Sequence, residues 1–136
     1  MPNAFVDSNI LIYAAEETLP TPRKTTIARE VLQCEHLHLS VQVLNEFTAN
    51  ARKPNKLGLP KDRERGWIDS FLLFEVTAIT ASIYLSALEI HDRYGLSHWD
   101  ALILAAAIES HCEVLYSENL QHGQIIEGVL VVNPFV

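Results

Sequence analysis

The sequence has little cysteine and no long apolar run. Cys34 and Cys112 are its only cysteines, too few for a disulfide framework or a zinc cluster of cysteines. Its longest apolar run, residues 101–108, is far shorter than the roughly 20 residues that span a bilayer. The N-terminal residues lack the basic segment and apolar stretch of a secretion signal. We therefore expect a cytoplasmic protein with no membrane segment.

Several common active-site motifs are also missing. There is no Walker-type glycine-rich loop for phosphate and no Gly-x-Ser-x-Gly elbow of a serine hydrolase. The six histidines are scattered, and His36 with His38 on one predicted strand face is only a weak indication of zinc. The sequence therefore favours neither a P-loop nucleotide-binding protein, a serine hydrolase nor a zinc enzyme.

The chain has few positive charges overall, with a net charge of −7, which argues against binding to nucleic-acid phosphates. Residues 52–65 are the exception, because six basic side chains and two acids give this segment +4 and leave −11 elsewhere. The basic residues are Arg52, Lys53, Lys56, Lys61, Arg63 and Arg65. They indicate either a nucleic-acid contact beside an acidic centre or an ordinary solvated connection.

Strand-like and helix-like patterns alternate along the chain. Strands are predicted at residues 4–6, 36–40, 75–77, 114–116 and 129–132. Helices are predicted at residues 9–17, after a cap at Thr21 or Thr25, from Ser40 to about 52, from about 60, from Thr80 to Gly95, and from Ser97. Such alternation predicts an α/β fold with a mostly parallel central sheet, here as a single domain over residues 1–136.

Acidic side chains stand at the ends of these apolar segments. Asp7 follows the first strand, Glu46 lies beside the apolar stripe of its helix, and Asp100 is in a first helical turn. Residues 117–119 follow another strand and contain Glu118 and Asn119. Because the carboxyl ends of parallel strands meet at one edge, these groups predict a shared site for a hard cation such as Mg²⁺ or Mn²⁺.

Each acid also has an ordinary structural interpretation. Asp7 is a suitable turn former at a strand end, and Glu46 would be unremarkable as an exposed helix acid. Asp100 would be favoured by the helix dipole and by a capping box with Ser97. The joint placement of the three acids, rather than any one of them, supports the metal site.

The chain resembles the PIN-domain ribonucleases, and among them the VapC-type toxins of toxin–antitoxin pairs. The resemblance lies in Val6-Asp7-Ser8-Asn9, in residues 97–103 (Ser-His-Trp-Asp-Ala-Leu-Ile) and in residues 115–123. Residues 43–47, around Glu46, match more weakly but occur in the right order. The resemblance implies a three-layer α/β/α fold with a central, mostly parallel sheet.

The resemblance also implies site residues. Asp7 and Asp100 would be the main Mg²⁺ ligands, Glu46 would complete the acidic pocket, and Ser8 would hydrogen-bond a ligand or the substrate phosphate. The family has an aspartate where this chain has Asn119, which supplies an oxygen without a charge. We therefore expect weakened metal binding, above all of a second ion, since the neighbouring Glu118 is expected to point elsewhere.

The implied activity is Mg²⁺-dependent endoribonuclease cleavage, with Mn²⁺ as a possible substitute and with 3′-hydroxyl and 5′-phosphate products. The basic residues 52–65 would hold the RNA backbone and set its position. Trp67 and Trp99 are expected in the core, with stacking on bases as the alternative. A cognate antitoxin and a second copy of the chain, forming a homodimer, are the implied protein partners.

Three other interpretations are open at this point. One is a PIN nuclease of RNA processing with no antitoxin. Another, prompted by Asn119, is a catalytically weakened PIN module that binds RNA or a partner. The third is a phosphatase with an aspartate nucleophile, which is disfavoured because its pattern requires a second aspartate where this chain has Asn9.

Overall fold

A six-stranded sheet forms the centre of the computed structural model, which describes residues 3–17 and 22–136. Within these ranges the strands are β1 (Ala4–Val6), β2 (Leu37–Ser40), β3 (Glu75–Thr77), β4 (Val114–Tyr116), β5 (Ile125–Ile126) and β6 (Val129–Val132). Their order is β3-β2-β1-β4-β6-β5. All neighbours are parallel except β5 and β6, which pair antiparallel. The predicted, mostly parallel sheet is confirmed.

Six helices connect the strands in the described ranges. They are α1 (Ser8–Ala14), α2 (Pro22–Val31), α3 (Val41–Ala51), α4 (Lys61–Phe71), α5 (Ala81–Tyr94) and α6 (His98–Glu109). Helix α1 packs against both α2 and α3, α3 packs against α4, and α5 packs against α6. The predicted three-layer α/β/α arrangement is confirmed.

The helix caps explain why most boundaries were readable from the sequence. Ser40, Thr80 and Ser97 each accept a hydrogen bond from the backbone N–H three residues later, at 3.1–3.3 Å. Such caps satisfy an N–H group that the first helical turn leaves without a partner. Gly95 ends α5 in the left-handed conformation, with φ of 69°, which glycine adopts without steric cost.

Helix α1 differs from the prediction at both ends. It begins at Ser8, because Asp7 occupies the cap position, and it ends at Ala14 rather than at residue 17. The Arg29 side chain donates to the carbonyl oxygens of Ala14 and Glu16, which replaces the helical partners that those oxygens would otherwise need.

Helix α2 begins earlier than a cap at Thr25 would allow. Pro22 is its first residue, a position that suits proline because the missing N–H would have no partner there. Thr25 was wrongly assigned as a cap, since it lies inside the helix and donates to Glu16 Oε2 at 3.3 Å. Thr21, the other predicted cap, lies outside the described residues.

Helix α6 is the centre of the core. Residues 101–107 are all buried, as expected for a helix whose sequence is apolar on every side. No helix in the described ranges is both long enough and apolar enough to cross a bilayer.

Candidate active site

Asp7 is placed at the middle of the sheet's carboxyl edge. It directly follows β1, which lies between β2 and β4, and its backbone N–H donates to the carbonyl oxygen of Tyr116 at 3.0 Å. Because Val6 pairs with Tyr116, the residues that follow them, Asp7 and Ser117, are brought side by side. Asp7 is only 3% exposed.

Hydrogen bonds hold both carboxylate oxygens of Asp7. Oδ1 accepts from the Ser8 backbone N–H at 2.6 Å, and Oδ2 accepts from Ser117 Oγ at 2.8 Å. The side-chain amide of Asn9 lies 3.5 Å from Oδ2, at the limit of a hydrogen bond. These donors fix the orientation of the carboxylate.

The pKa of Asp7 is raised from 3.8 to about 6. Burial is the main cause, because it disfavours the charged form, and the negative charges of Glu46 and Asp100 add to it. The hydrogen bonds from Ser117 and Ser8 act in the opposite direction and lower the pKa. Asp7 therefore lies in the electrostatic field of both other predicted site acids, and no positive side chain of residues 3–17 and 22–136 is among the causes of its pKa shift.

Glu46 and Asp100 approach this point from two different helices. Glu46 is half-buried on α3, where its Oε2 accepts a hydrogen bond from Gln42 Nε2 at 3.1 Å. Asp100 is half-buried in the first turn of α6, and its backbone N–H donates to Ser97 Oγ at 3.1 Å. That hydrogen bond supports the capping interpretation of Ser97, while the carboxylate of Asp100 acts on Asp7 through its charge.

The residues after β4 have two different environments. Ser117 is fully buried and accepts from the backbone N–H of Asn119 at 3.2 Å while it donates to Asp7. Asn119 itself is exposed. Glu118 points away from Asp7, because its carboxylate accepts from Tyr13 Oη at 2.7 Å and forms an ion pair with Lys24. Glu118 is thus already neutralised and does not replace the missing aspartate at position 119.

Ser117 and Asn9 were missed as site residues by sequence reasoning. Asn9 links the two sides of the site, since its Oδ1 accepts from the Glu118 backbone N–H at 3.3 Å. The signal for Ser117 was available, because a serine directly after a buried parallel strand lies level with Asp7. Its contact with Asp7 depends on the pairing of β1 with β4, which the sequence alone did not identify.

The side chains present suit a hard cation, although they are not a closed cage. In the described part of the chain, no group of three or more histidine, cysteine, aspartate or glutamate side chains is close enough together to hold a metal ion. Mg²⁺ usually keeps several waters and binds through one or two carboxylates. Asp7 and Asp100 are of the right chemistry for that mode, and the raised pKa of Asp7 marks a place where positive charge would be favourable.

The basic segment is only partly available for a ligand. Arg52 forms an ion pair with the buried Glu64, Arg63 with Glu17 and Arg65 with Asp69. The three lysines, Lys53, Lys56 and Lys61, are exposed. Among the predicted RNA-binding residues, these lysines are therefore the better candidates, and Arg52 has a clear structural role.

The two tryptophans differ in environment. Trp67 is half-buried and stacks on Phe71 with ring centroids 5.9 Å apart, as expected for a residue at the edge of the core. The expectation that Trp99 is also buried was wrong, since its side chain is 63% exposed. Its position in the exposed first turn of α6, beside Asp100, keeps the ring outside the core.

Comparison with known proteins assigns this arrangement to a family. A family model of the PIN domain matches residues 4–125, a range that contains Asp7, Glu46, Asp100 and Asn119. No curated protein matches the chain.

Solved structures share the fold over nearly the whole chain. A toxin–antitoxin complex from Klebsiella pneumoniae has a chain with 25% identity and a TM-score of 0.74, covering 97% of this chain and 98% of that one. VapC20 from Mycobacterium tuberculosis, a toxin that cleaves the sarcin-ricin loop, has 16% identity and a TM-score of 0.68, with 86% and 90% covered. A chain of FitAB bound to a DNA fragment has 17% identity and a TM-score of 0.67, with 98% and 96% covered.

Proposed function

The chain belongs to the PIN-domain family, and on that premise we propose that it is a Mg²⁺-dependent endoribonuclease, the toxin of a toxin–antitoxin pair. The observation that carries the proposal is the placement of Asp7. A buried, hydrogen-bonded carboxylate lies within the field of the Glu46 and Asp100 charges at the carboxyl edge of the sheet. Phosphodiester hydrolysis needs positive charge and an activated water at one point, and this group of acids suits a cation that provides both.

Asp7 and Asp100 would hold the Mg²⁺ ion, which would supply an acidified water and offset the charge that develops on the phosphoryl oxygens. Ser117 and Ser8 keep the Asp7 carboxylate in a single orientation. Glu46, held by Gln42, would orient the attacking water or accept its proton, and Asp7 is the alternative. The proposed products are a 3′-hydroxyl and a 5′-phosphate.

The RNA would approach along the exposed lysines of the basic segment. Lys53, Lys56 and Lys61 lie on or beside the connection between α3 and α4, and their charges would attract the phosphate backbone without reading its sequence. The Ser8 hydroxyl, next to Asp7, is the proposed contact to the reacting phosphate. An RNA substrate also places the proposed activity in the cytoplasm.

The proposed protein partners are a cognate antitoxin and a second copy of the chain. The Klebsiella pneumoniae structure with the same fold is a toxin–antitoxin complex, and structures of VapBC from Rickettsia felis and Salmonella typhimurium also share the fold, with TM-scores of 0.64 and 0.66. These similarities favour the toxin over an RNA-processing nuclease that has no antitoxin.

Asn119 supports a second candidate function, a PIN module that binds RNA but cleaves it poorly. The position that would provide a further carboxylate is an exposed amide. The nearest acid, Glu118, is neutralised by Lys24. This candidate predicts that RNA is retained by the protein without Mg²⁺-dependent cleavage.

One experiment separates these candidates. Purified protein is incubated with a mixed RNA pool in Mg²⁺, in Mn²⁺ or in EDTA, beside the Asp7→Ala and Asp100→Ala variants. Asp92→Ala, which removes an exposed aspartate of α5, is the matched control. The toxin proposal expects cleavage that needs the metal, is lost in both site variants and persists in the control. Cleavage that survives EDTA or both site variants would contradict it.

A further inference from the structure

Trp99 is an exposed aromatic residue directly beside a proposed metal ligand. It precedes Asp100 in the first turn of α6, and its side chain is 63% exposed. Its ring and the ring of His98 form a T-shaped pair, with centroids 5.4 Å apart. Exposed large apolar side chains that border a cavity commonly mark binding sites, and this one borders a cavity.

The cavity is a groove of about 450 Å³ between α3 and the start of α6. Its walls are mainly apolar and include three side chains with amide or carboxylate groups. The lining includes Gln42, Asn45, Glu46 and Trp99. Since Glu46 lines the groove and also acts on Asp7, the groove adjoins the proposed site of cleavage.

Gln42 contributes a hydrogen-bond acceptor without a partner. Its Nε2 donates to Glu46 Oε2 at 3.1 Å and to the Trp99 carbonyl oxygen at 3.2 Å. Two acceptors around the nitrogen fix the orientation of the amide, because a flipped amide would place its oxygen against both. Gln42 Oε1 is then buried without a hydrogen-bond partner in the described part of the chain, in a side chain that is 7% exposed.

We propose that this groove binds one nucleobase of the RNA next to the cleaved phosphate, with Trp99 as the stacking face and Gln42 Oε1 as an acceptor for the base. The inference rests on the proposed ribonuclease function and names the subsite that selects the base. Every nucleobase has a flat face, which stacks on an aromatic ring, whereas its N–H groups lie at different positions in the four bases, so a fixed acceptor favours the base whose N–H reaches it.

A base fits these observations better than an apolar side chain of a protein partner. An apolar side chain would fill the groove but would leave Gln42 Oε1 without a donor, which is unfavourable for a buried polar atom. The oxygen is shielded from solvent, so a ligand reaches it only when a neighbouring side chain shifts. Trp99 has room for that shift because most of its surface is exposed.

The first test uses Trp99 as its own reporter. Trp67 is the only other tryptophan, so Trp67→Phe leaves a chain whose fluorescence comes from Trp99. Single-stranded hexanucleotides of A, C or U are titrated in EDTA, and labelled-RNA anisotropy follows binding independently. We expect saturable quenching, and we expect Trp99→Leu to weaken binding between about fivefold and about 150-fold, the range for one stacked base.

Leu85→Ala, which truncates an exposed apolar residue of α5 outside the groove, is the matched control and should leave binding unchanged. Trp99→Phe retains a smaller stacking face and should bind with intermediate affinity. Melting temperatures show whether each variant is folded. If Trp99→Leu is unfolded, the binding affinity of Trp99→Phe is used in its place.

The second test concerns base selection. With Mg²⁺ present, the bases flanking the cut are counted for the unmodified protein, Gln42→Leu and the control Gln33→Leu, which changes an exposed glutamine outside the groove. We expect the preference for one base to fall by about threefold to tenfold in Gln42→Leu, the value of one hydrogen bond, and to persist in Gln33→Leu.

The outcomes distinguish this inference from the proposed function. If RNA is bound and cut normally by Trp99→Leu, or binds without quenching, the subsite is wrong and the ribonuclease stands. Fluorescence that changes with protein concentration and not with RNA would assign the groove to a second copy of the chain and overturn the proposal. If no RNA is bound or cut by any form of the protein, the proposed function fails and the subsite fails with it.

Discussion

Ser117 Oγ donates a hydrogen bond of 2.8 Å to Oδ2 of Asp7, a residue 110 positions earlier in the sequence. This contact follows from the parallel pairing of β1 with β4. It stabilises the charged form of a carboxylate that burial drives toward the neutral form.

Removing this hydrogen bond should raise the pKa of Asp7 further. In Ser117→Ala the carboxylate loses the strongest influence that lowers its pKa, so the value should move above about 6. Carboxyl ¹³C NMR titration of the metal-free protein measures the shift directly. Ser8→Ala is the control, because it keeps the backbone N–H that donates to Asp7 Oδ1 at 2.6 Å and loses only a long side-chain hydrogen bond of 3.4 Å, so its titration should stay close to that of the unmodified protein. A Ser117→Ala titration that moves to lower pH would contradict the assignment.

Asp7 should make the metal-free protein less stable as the pH rises. The pKa of Asp7 is about 6 in the folded protein, against 3.8 for an ordinary aspartate. Between pH 3.8 and about 6 the folded protein therefore binds more protons than the unfolded protein, and it loses stability as the pH rises through this interval. The difference corresponds to about 3 kcal/mol above pH 6. Asp7→Asn should therefore melt at a higher temperature than the unmodified protein at pH 7.5, with a smaller gap near pH 4.

Thermal unfolding in EDTA from pH 4 to 8 checks this prediction. The substituted amide can keep the Ser8 hydrogen bond through its oxygen and donate to Ser117 Oγ, so its stability should vary less with pH. Equal pH dependence of the two proteins would show that Asp7 is not the group responsible. Asp92→Asn provides the control for an exposed aspartate.

Asn119→Asp should strengthen Mg²⁺ binding. The change places a negative charge in the loop after β4, two residues from Ser117, and an added carboxylate close to a cation is worth about 1–3 pKa units of mutual stabilisation. We expect Mg²⁺ affinity to rise about tenfold or more, measured by calorimetry, together with faster RNA cleavage. Asn55→Asp, an exposed asparagine in the loop before α4, makes the same charge change elsewhere. Equal effects of the two substitutions would sink the idea that position 119 limits the site.

The exposed lysines should govern how RNA binding depends on salt. Replacing Lys53, Lys56 and Lys61 together by glutamine removes up to three phosphate contacts, so the slope of log K against log salt should decrease by about 2 for single-stranded RNA. The triple arginine replacement keeps the charge and should keep the slope. An unchanged slope in the triple glutamine variant would show that these three lysines do not contact the RNA phosphates. Anisotropy titrations across a salt series measure it.

Most helices and strands could be predicted from the sequence because the residues that determine their ends are close together in the chain. Ser40, Thr80, Ser97 and Gly95 set helix ends through contacts within a few residues, and these boundaries were predicted correctly. The early end of α1 was not, since it depends on Arg29 reaching back to Ala14. The two-residue strand β5 was also missed, because so short a segment has no periodicity and forms only by pairing with β6.

In the candidate site, too, the features that depend on neighbouring residues could be predicted and those that depend on distant contacts could not. Asp7, Glu46 and Asp100 were predicted from their positions beside apolar segments, and in the structure the charges of Glu46 and Asp100 raise the pKa of Asp7. The role of Ser117, the neutralisation of Glu118 by Lys24 and the exposure of Trp99 depend on which distant elements pack together. No local pattern contains that information.

The pairing of β1 with β4 also determines when the site can exist. Ribosomes make Asp7 110 residues before its partner Ser117, which directly follows β4. A nascent chain that has not reached Ser117 therefore has Asp7 without the contact that orients its carboxylate. A shift of one residue in the pairing of β1 with β4, about 3.3 Å, would also separate the two side chains. Translation therefore has to deliver β4 and Ser117 before the Asp7 carboxylate is held in its final orientation.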